Sequence, residues 1–330
     1  MKRLFLVLAC VFVSIASAYS FAAPGHRVIA TAAFQKLNPA AQKAVTDIMS
    51  HSSIPELQDV SSAATWPDDI RKSSTPSHSG YLVKNHNPAA LDFNNRFPTN
   101  NVWHFINYPL DGTYTPNGKF SSDEDVAHII GHCIEVLEGN AQGKWAAMHK
   151  DEALAWLIHT VGDIHQPLHV GEGFYEFDGD NALLITDPTL ALQYKKNDDS
   201  GGNDLYYTKS EEFHAFWDKD MVAYVSVDEG ELAQKIVDII DSSHFSNSGD
   251  YHEWANSWAT QSIRAAKQAY SALVSGEENR IGSRRPGSTT IIDITLDKND
   301  YKKQFGNLIK QQLGKAAYDL SDLLNHIQWQ

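Results

Sequence analysis

Residues 153–169, ALAWLIHTVGDIHQPLH, hold the densest run of metal-ligating side chains in the chain. His159 and Asp163 stand four apart, so on a helix both project from one face within reach of a single ion. Pro167 lacks an N–H and restricts Gln166, which ends the helix and leaves His169 just beyond it, able to fold back. Taken alone, the His159–Asp163 pair reads as an ordinary i,i+4 pair on a solvated face. A second pair with the same spacing, His214 and Asp218, lies in FHAFWD, where aromatic neighbours wall off water. Asp68 and Asp69 precede Arg71 in WPDDIR, His104 sits in WHFIN, and His26 follows Phe21 in FAAPGH. Nitrogen and carboxylate ligands without cysteine suit zinc, and the number of candidates implies several ions.

The elements that must position these groups are helical. Val28, Ile29, Ala32, Ala33, Phe34 and Leu37 recur with the 3.6-residue period, as do Val126, Ile129, Ile130, Cys133, Ile134 and Leu137. Leu154, Leu157, Ile158 and Val161 continue it, then Leu232, Ile236, Ile239 and Ile240, and finally Phe305, Ile309, Leu313, Ala316, Leu320 and Leu323. Asn38-Pro39 is an N-cap followed by proline at a first helical position. Stretches near 75–120, 171–205 and 276–300 are rich in Gly, Pro, Asn, Asp and Ser and read as loops, with a short extended piece over 288–296. The fold class is mainly α, one catalytic domain over 21–330 with long loops.

Composition sets the limits. The chain has 330 residues, 27 Lys+Arg against 41 Asp+Glu, a net charge of −14 and 42% hydrophobic residues. Disorder and disulfide-stapled miniature folds are excluded, as is broad basic gripping of a duplex. Lys2-Arg3, an uncharged run from Leu4 to Ala16 and small residues through Ser20 form a signal peptide over 1–20, cleaved between Ser20 and Phe21. A lipoprotein signal at Cys10 is the alternative to it. Cleavage leaves Cys133 alone, so no intramolecular disulfide forms in a periplasmic or secreted product, and a zinc cluster would take over that stabilising role. No other stretch is long and apolar enough to span a membrane. The chain holds 15 histidines, more than its helices require.

Gly25-His26, Trp66-x-Asp68-x-x-Arg71, His104-Phe105-Ile106, His159-x3-Asp163-x5-His169 and His214-x3-Asp218 together resemble the zinc-dependent single-strand-specific nucleases and 3′-nucleotidases of the mung-bean type, related in fold to zinc phospholipase C. The resemblance implies a helical zinc phosphodiesterase fold with three Zn2+ in a cleft. It implies one ion held by Asp68, His104, His159 and Asp163, and a second by His169, His214 and Asp218. A third would be held by His26, by bridging Asp163, and by the freed amine and carbonyl of Phe21, where the family normally has tryptophan. Asp68 would orient the attacking water and Arg71 would neutralise the phosphoryl oxygens. Phe105 would stack a base, Asn107 would face its edge where some members carry aspartate, and Asn203 of the Gly201-Gly202-Asn203 triplet would contact the nucleotide.

The implied substrates are single-stranded nucleic acid and 3′-mononucleotides, with a monomeric enzyme and no protein partner. A stretch over 172–200, longer than the short connection expected of close bacterial relatives, would roof or narrow the cleft and shift the balance between polymer and mononucleotide cleavage. The competing readings are a zinc phospholipase C and a non-catalytic zinc-binding secreted protein. His128 and His132 read as local surface or core histidines, His165 as facing away from the ligands, and Trp254 and Trp258 as core.

Overall fold

The computed structural model describes residues 21–74, 87–179, 181–275, 280–281 and 290–330. The expected signal peptide, His78 and His86 lie outside these residues. The chain opens with α1 (Ala22–Phe34) and α2 (Pro39–Ser50), followed by α3 (Val60–Ala63), α4 (Trp66–Ser74), α5 (Pro88–Arg96), α6 (Val126–Leu137) and α7 (Lys150–His165). Then come α8 (Pro188–Ala191), α9 (Phe213–Ala215), α10 (Val222–Val225), α11 (Glu229–Ser242), α12 (Trp254–Tyr270) and α13 (Lys298–His326).

Local chemistry accounts for the helix starts. Asn38 accepts from Ala40 N at 2.9 Å and Ala41 N at 3.0 Å, with Pro39 opening α2 as its sequence requires. Asp125, Asp228 and Asp297 cap α6, α11 and α13 in the same way. Helix α1 begins earlier than its apolar stripe suggests. Ala22, Ala23 and Pro24 form its first turn, where proline has no hydrogen bond to lose, and this brings His26 onto the helix.

Helix α7 is the centre of the molecule. Every residue from Glu152 to His165 is buried, as expected of a helix apolar on all sides but for its ligands. Around it pack α1, α6, α12 and α13. One contiguous apolar core reaches from Phe21 to Ile327 and contains Trp254 and Trp258.

Two stretches read as loops contain regular structure. Within 75–120, Asn87 caps α5, which begins at Pro88. Within 171–205, strand β2 (Gly171–Glu172) pairs in parallel with β1 (Tyr108–Pro109), and β3 (Phe174–Asp178) forms an antiparallel hairpin with β4 (Asn181–Ile185). Phe174 and Ile185 face each other and, with Ala191, Phe120 and Tyr194, build a small core of their own. The apolar runs here are too short to stand out against their Asn- and Asp-rich flanks. Farther on, β5 (Leu205–Tyr206), β6 (Val274–Ser275) and β7 (Arg280–Ile281) each pair with β8 (Thr290–Thr295), the extended piece expected near 288–296. Among the described residues no helix is long and apolar enough to cross a membrane.

Candidate metal centre

Helix α7 supplies the pivot. His159 and Asp163 are both 0% exposed, so the solvated i,i+4 reading is overturned. Their separation is 3.1 Å between Nε2 and Oδ2. His104, entering from the turn after α5, places its Nδ1 at 2.9 Å from His159 Nε2 and 3.0 Å from Asp163 Oδ2. Asp68, on the first turn of α4, comes to 4.0 Å from His159 Nε2. From α1, His26 Nε2 approaches Asp163 Oδ1 at 3.3 Å, and its ring stacks on His159 at 4.0 Å. That approach depends on Gly162, since a Cβ there would stand 2.6 Å from His26 Nδ1. The chain turn at Pro167 folds His169 back, 3.9 Å from Asp163 Oδ1.

The second cluster joins His169 to His214 and Asp218. A π-helical turn over Phe216–Met221 follows α9, and across this junction His214 Nε2 lies 3.5 Å from Asp218 Oδ2. Such turns recur at functional sites because they re-aim side chains within a continuous helix. Three groups therefore have donor atoms within 4.8 Å of one another: His26, Asp68 and His159; His104, His159 and Asp163; His169, His214 and Asp218.

Hydrogen bonds orient the rings. His159 Nδ1 donates to Ala64 O at 2.8 Å, His169 Nδ1 to His104 O at 2.7 Å, and His214 Nδ1 to Gly201 O at 2.7 Å. Each bond commits one ring nitrogen and leaves the Nε2 lone pair for the cluster. His169 Nε2 and His214 Nε2 then oppose each other at 3.2 Å, so in the neutral rings two lone pairs meet. Asp218 Oδ2, buried beside them, has no hydrogen bond among the described residues, while its Oδ1 is held by Gln166 Nε2 at 2.8 Å. A buried arrangement of facing lone pairs and carboxylates is stabilised by cations, so the donor set fits metal ions.

Burial lowers His26 and His169 below the usual imidazole range and takes His104 down to about 4, so these rings are neutral near pH 7. Burial also works against charge on His159, but Asp163 outweighs it and raises that ring to about 9, so a cation binding at its Nε2 would displace a proton. Asp163, opposed by its own burial, is held well below the carboxylate range by His159 and its neighbouring rings. Asp218 goes the other way, pushed well up by burial. Asp163 is thus the anionic group that His26, His104 and His159 all face.

A cleft of about 240 Å³ opens onto these ligands, lined by Arg71, Phe105, Asn107, Ser200 and Asn203 beside His104, His169 and His214. Arg71 Nη1 stands 3.9 Å from Asp68 Oδ1, with its side chain 32% exposed. Phe105 is half-buried and Asn107 exposed at the rim. Asn203 is buried, and its Oδ1 has no hydrogen bond among the described residues. Phe21 is fully buried directly ahead of α1, with its carbonyl accepting from Gly25 N at 3.0 Å.

Several supporting residues were not evident from the sequence. Gly201 and Gly202, whose carbonyls hold His214, are themselves held by buried carboxylates. Glu172 Oε2 accepts from Gly201 N at 3.2 Å and Asp199 Oδ1 from Gly202 N at 2.9 Å. Tyr175 and Tyr270 donate to the same Asp199 carboxylate at 3.1 and 3.0 Å, although burial still pushes it up to about 7. A Cβ at Gly201 would meet Leu168 O at 2.2 Å. The available signal was the run Asp198-Asp199-Ser200-Gly201-Gly202, acids just before a glycine pair.

Three other histidines bond carboxylates outside these groups. His165 points to α13, bonding Asp319 at 2.8 Å, while His128 pairs with Asp125 and His132 with Glu135.

The sequence pattern of the family described as S1/P1 Nuclease matches residues 21–328. The chain is also similar to Endonuclease 2 of Arabidopsis thaliana, 24% identical over 214 residues, which is 62% of this chain and 57% of that protein. The match thus spans less than two thirds of the relative's length.

Proposed function

We propose, since the chain belongs to the S1/P1 nuclease family, that it is a secreted zinc phosphodiesterase. Its substrates are single-stranded DNA and RNA, cut to 5′-phosphorylated products, and 3′-nucleotides, which lose their phosphate. The observation that carries this reading is the convergence of five histidines and three aspartates into three buried ligand groups at the floor of one cleft. Three zinc ions would be held there, with Asp163 bridging the ion of His26 and the ion of His104 and His159, since its carboxylate faces all three rings at 3.0–3.3 Å. Phe21, once freed at its amine by cleavage after Ser20, completes the site of His26.

When bound, the ions supply a water nucleophile activated at neutral pH and neutralise the leaving 3′-oxygen. The protein's own side chains do the rest. Asp68, between His159 and Arg71, orients the attacking water. Arg71 presents a fixed fork of donors to the phosphoryl oxygens. Phe105 offers an aromatic face that accepts any base, and Asn107 offers its edge both a donor and an acceptor. Asn203 turns its amide toward the same cleft. The strands and turns over 172–200 close one side of it through Ser200, which supports a role in choosing between polymers and mononucleotides.

Arg71 at the cleft speaks against a non-catalytic metal store, and the described residues supply no observation favouring a phospholipid substrate. The test is EDTA-sensitive release of 5′-nucleotides from single-stranded DNA and RNA by the purified protein. Cleavage of phosphatidylcholine with none of single strands would overturn the reading.

A further inference from the structure

Arg71 has two sides. One lines the metal cleft, and the other lines a separate groove of about 640 Å³, more than twice the cleft's volume of about 240 Å³. Phe105 and Asn107 belong only to the cleft. The groove is walled by asparagines from the end of α5 and the turn after it, with Leu91 and Pro98 among them. Arg71 is the one charged residue among its described lining, and no carboxylate joins it. In a chain with 41 acidic residues against 27 basic ones, an acid-free groove continuing from an arginine suits a polyanion.

The asparagines divide into two roles. Asn94 Nδ2 donates to Ile70 O at 3.2 Å, next to Arg71, and Asn100 Nδ2 donates to Phe97 O at 2.8 Å. Asn94 thus fastens the wall to α4, and Asn100 ties the following turn to the end of α5. Asn95 and Asn101 are exposed along it, and each amide both donates and accepts, so it can meet a phosphate, a sugar or any base edge. Leu91, 39% exposed, adds apolar surface for a base.

We infer that this groove is the subsite for the second nucleotide of a single strand, the one that keeps the 5′-phosphate after cleavage. The inference rests on the phosphodiesterase reading above. If Phe105 and Asn107 take the nucleoside on the 3′-oxygen side of the scissile phosphate, the phosphate sits at Arg71. The next nucleotide then continues past Arg71 into the groove. A 3′-mononucleotide has no such unit and leaves the groove empty.

The test compares a dinucleoside monophosphate, a single-stranded octanucleotide and 3′-AMP as substrates of the intact zinc-loaded protein. Loss of each contributing amide in the double variant Asn95→Ala/Asn101→Ala is expected to raise KM for the two longer substrates about 3- to 10-fold, the range of one hydrogen bond. The values for 3′-AMP stay at wild type. Asn95→Asp, which brings a carboxylate into the groove, raises KM for the octanucleotide further, and added salt reduces that increment. Unchanged KM for the longer substrates in both variants overturns the subsite, and so does an equal loss on 3′-AMP. Failure of the wild-type protein on all three substrates instead sinks the nuclease reading and takes the subsite with it.

Discussion

The floor of the cleft and its rim are built on different terms. On the floor His159, Asp163 and Asp218 are fully buried, three histidine rings are fixed by backbone carbonyls, and the pivot lies on a helix enclosed on every side. At the rim Arg71 is 32% exposed and Asn107 is open to solvent. The floor can hold multivalent cations because it is rigid and dry, where charge pairing is strong. The rim meets a substrate of variable sequence and needs tolerance rather than fixed geometry. Floor substitutions should therefore act on metal retention and turnover, and rim substitutions on substrate choice.

The largest effect is expected at Asp163, which faces His26, His104 and His159 together. Asp163→Ala should lower activity by more than the roughly 100-fold upper range of outer-partner changes and reduce bound zinc by more than one equivalent, read by elemental analysis. A variant that keeps three zincs breaks the bridging assignment. Arg71→Lys comes next. Losing the guanidinium fork should cost kcat about 100-fold with zinc content unchanged; a fall in zinc would move Arg71 from rim to floor.

Asp199→Asn tests whether the floor extends outward through the glycine pair. It should weaken zinc retention at the His169–His214–Asp218 group about 10- to 100-fold, measured by chelator competition, while the other groups keep their affinity. Equal weakening everywhere would mean a general packing defect. The smallest change is Asn107→Asp, expected to shift relative KM among the four 3′-mononucleotides by about 3- to 10-fold without touching zinc content. An unchanged ranking would place the base edge elsewhere.

The same contrast governs what the sequence disclosed. His159, Asp163 and His169 were legible because helix period and proline chemistry are local, and α7 was legible because its apolar residues surround it. The burial of the His159–Asp163 pair was not, since it depends on α1, α6, α12 and α13 closing over the helix. Gly162 carries no signal of its own in the sequence, and the approach of His26 from α1 gives it a reason. The support of His214 by Asp199, Tyr175 and Tyr270 joins residues far apart in the chain, two in a stretch rich in turn residues and one at the end of α12. The π-helical turn at Phe216–Met221 leaves no mark in the i,i+4 spacing that it reshapes.

The proposed function requires three catalytic zinc ions in one cleft. Its most direct test is to strip the protein with EDTA and restore zinc by titration while following 5′-phosphorylated product from single-stranded DNA. No activity is expected without metal, and full activity only as the third equivalent binds. Full recovery at one equivalent, or hydrolysis that survives complete removal of metal, would contradict it.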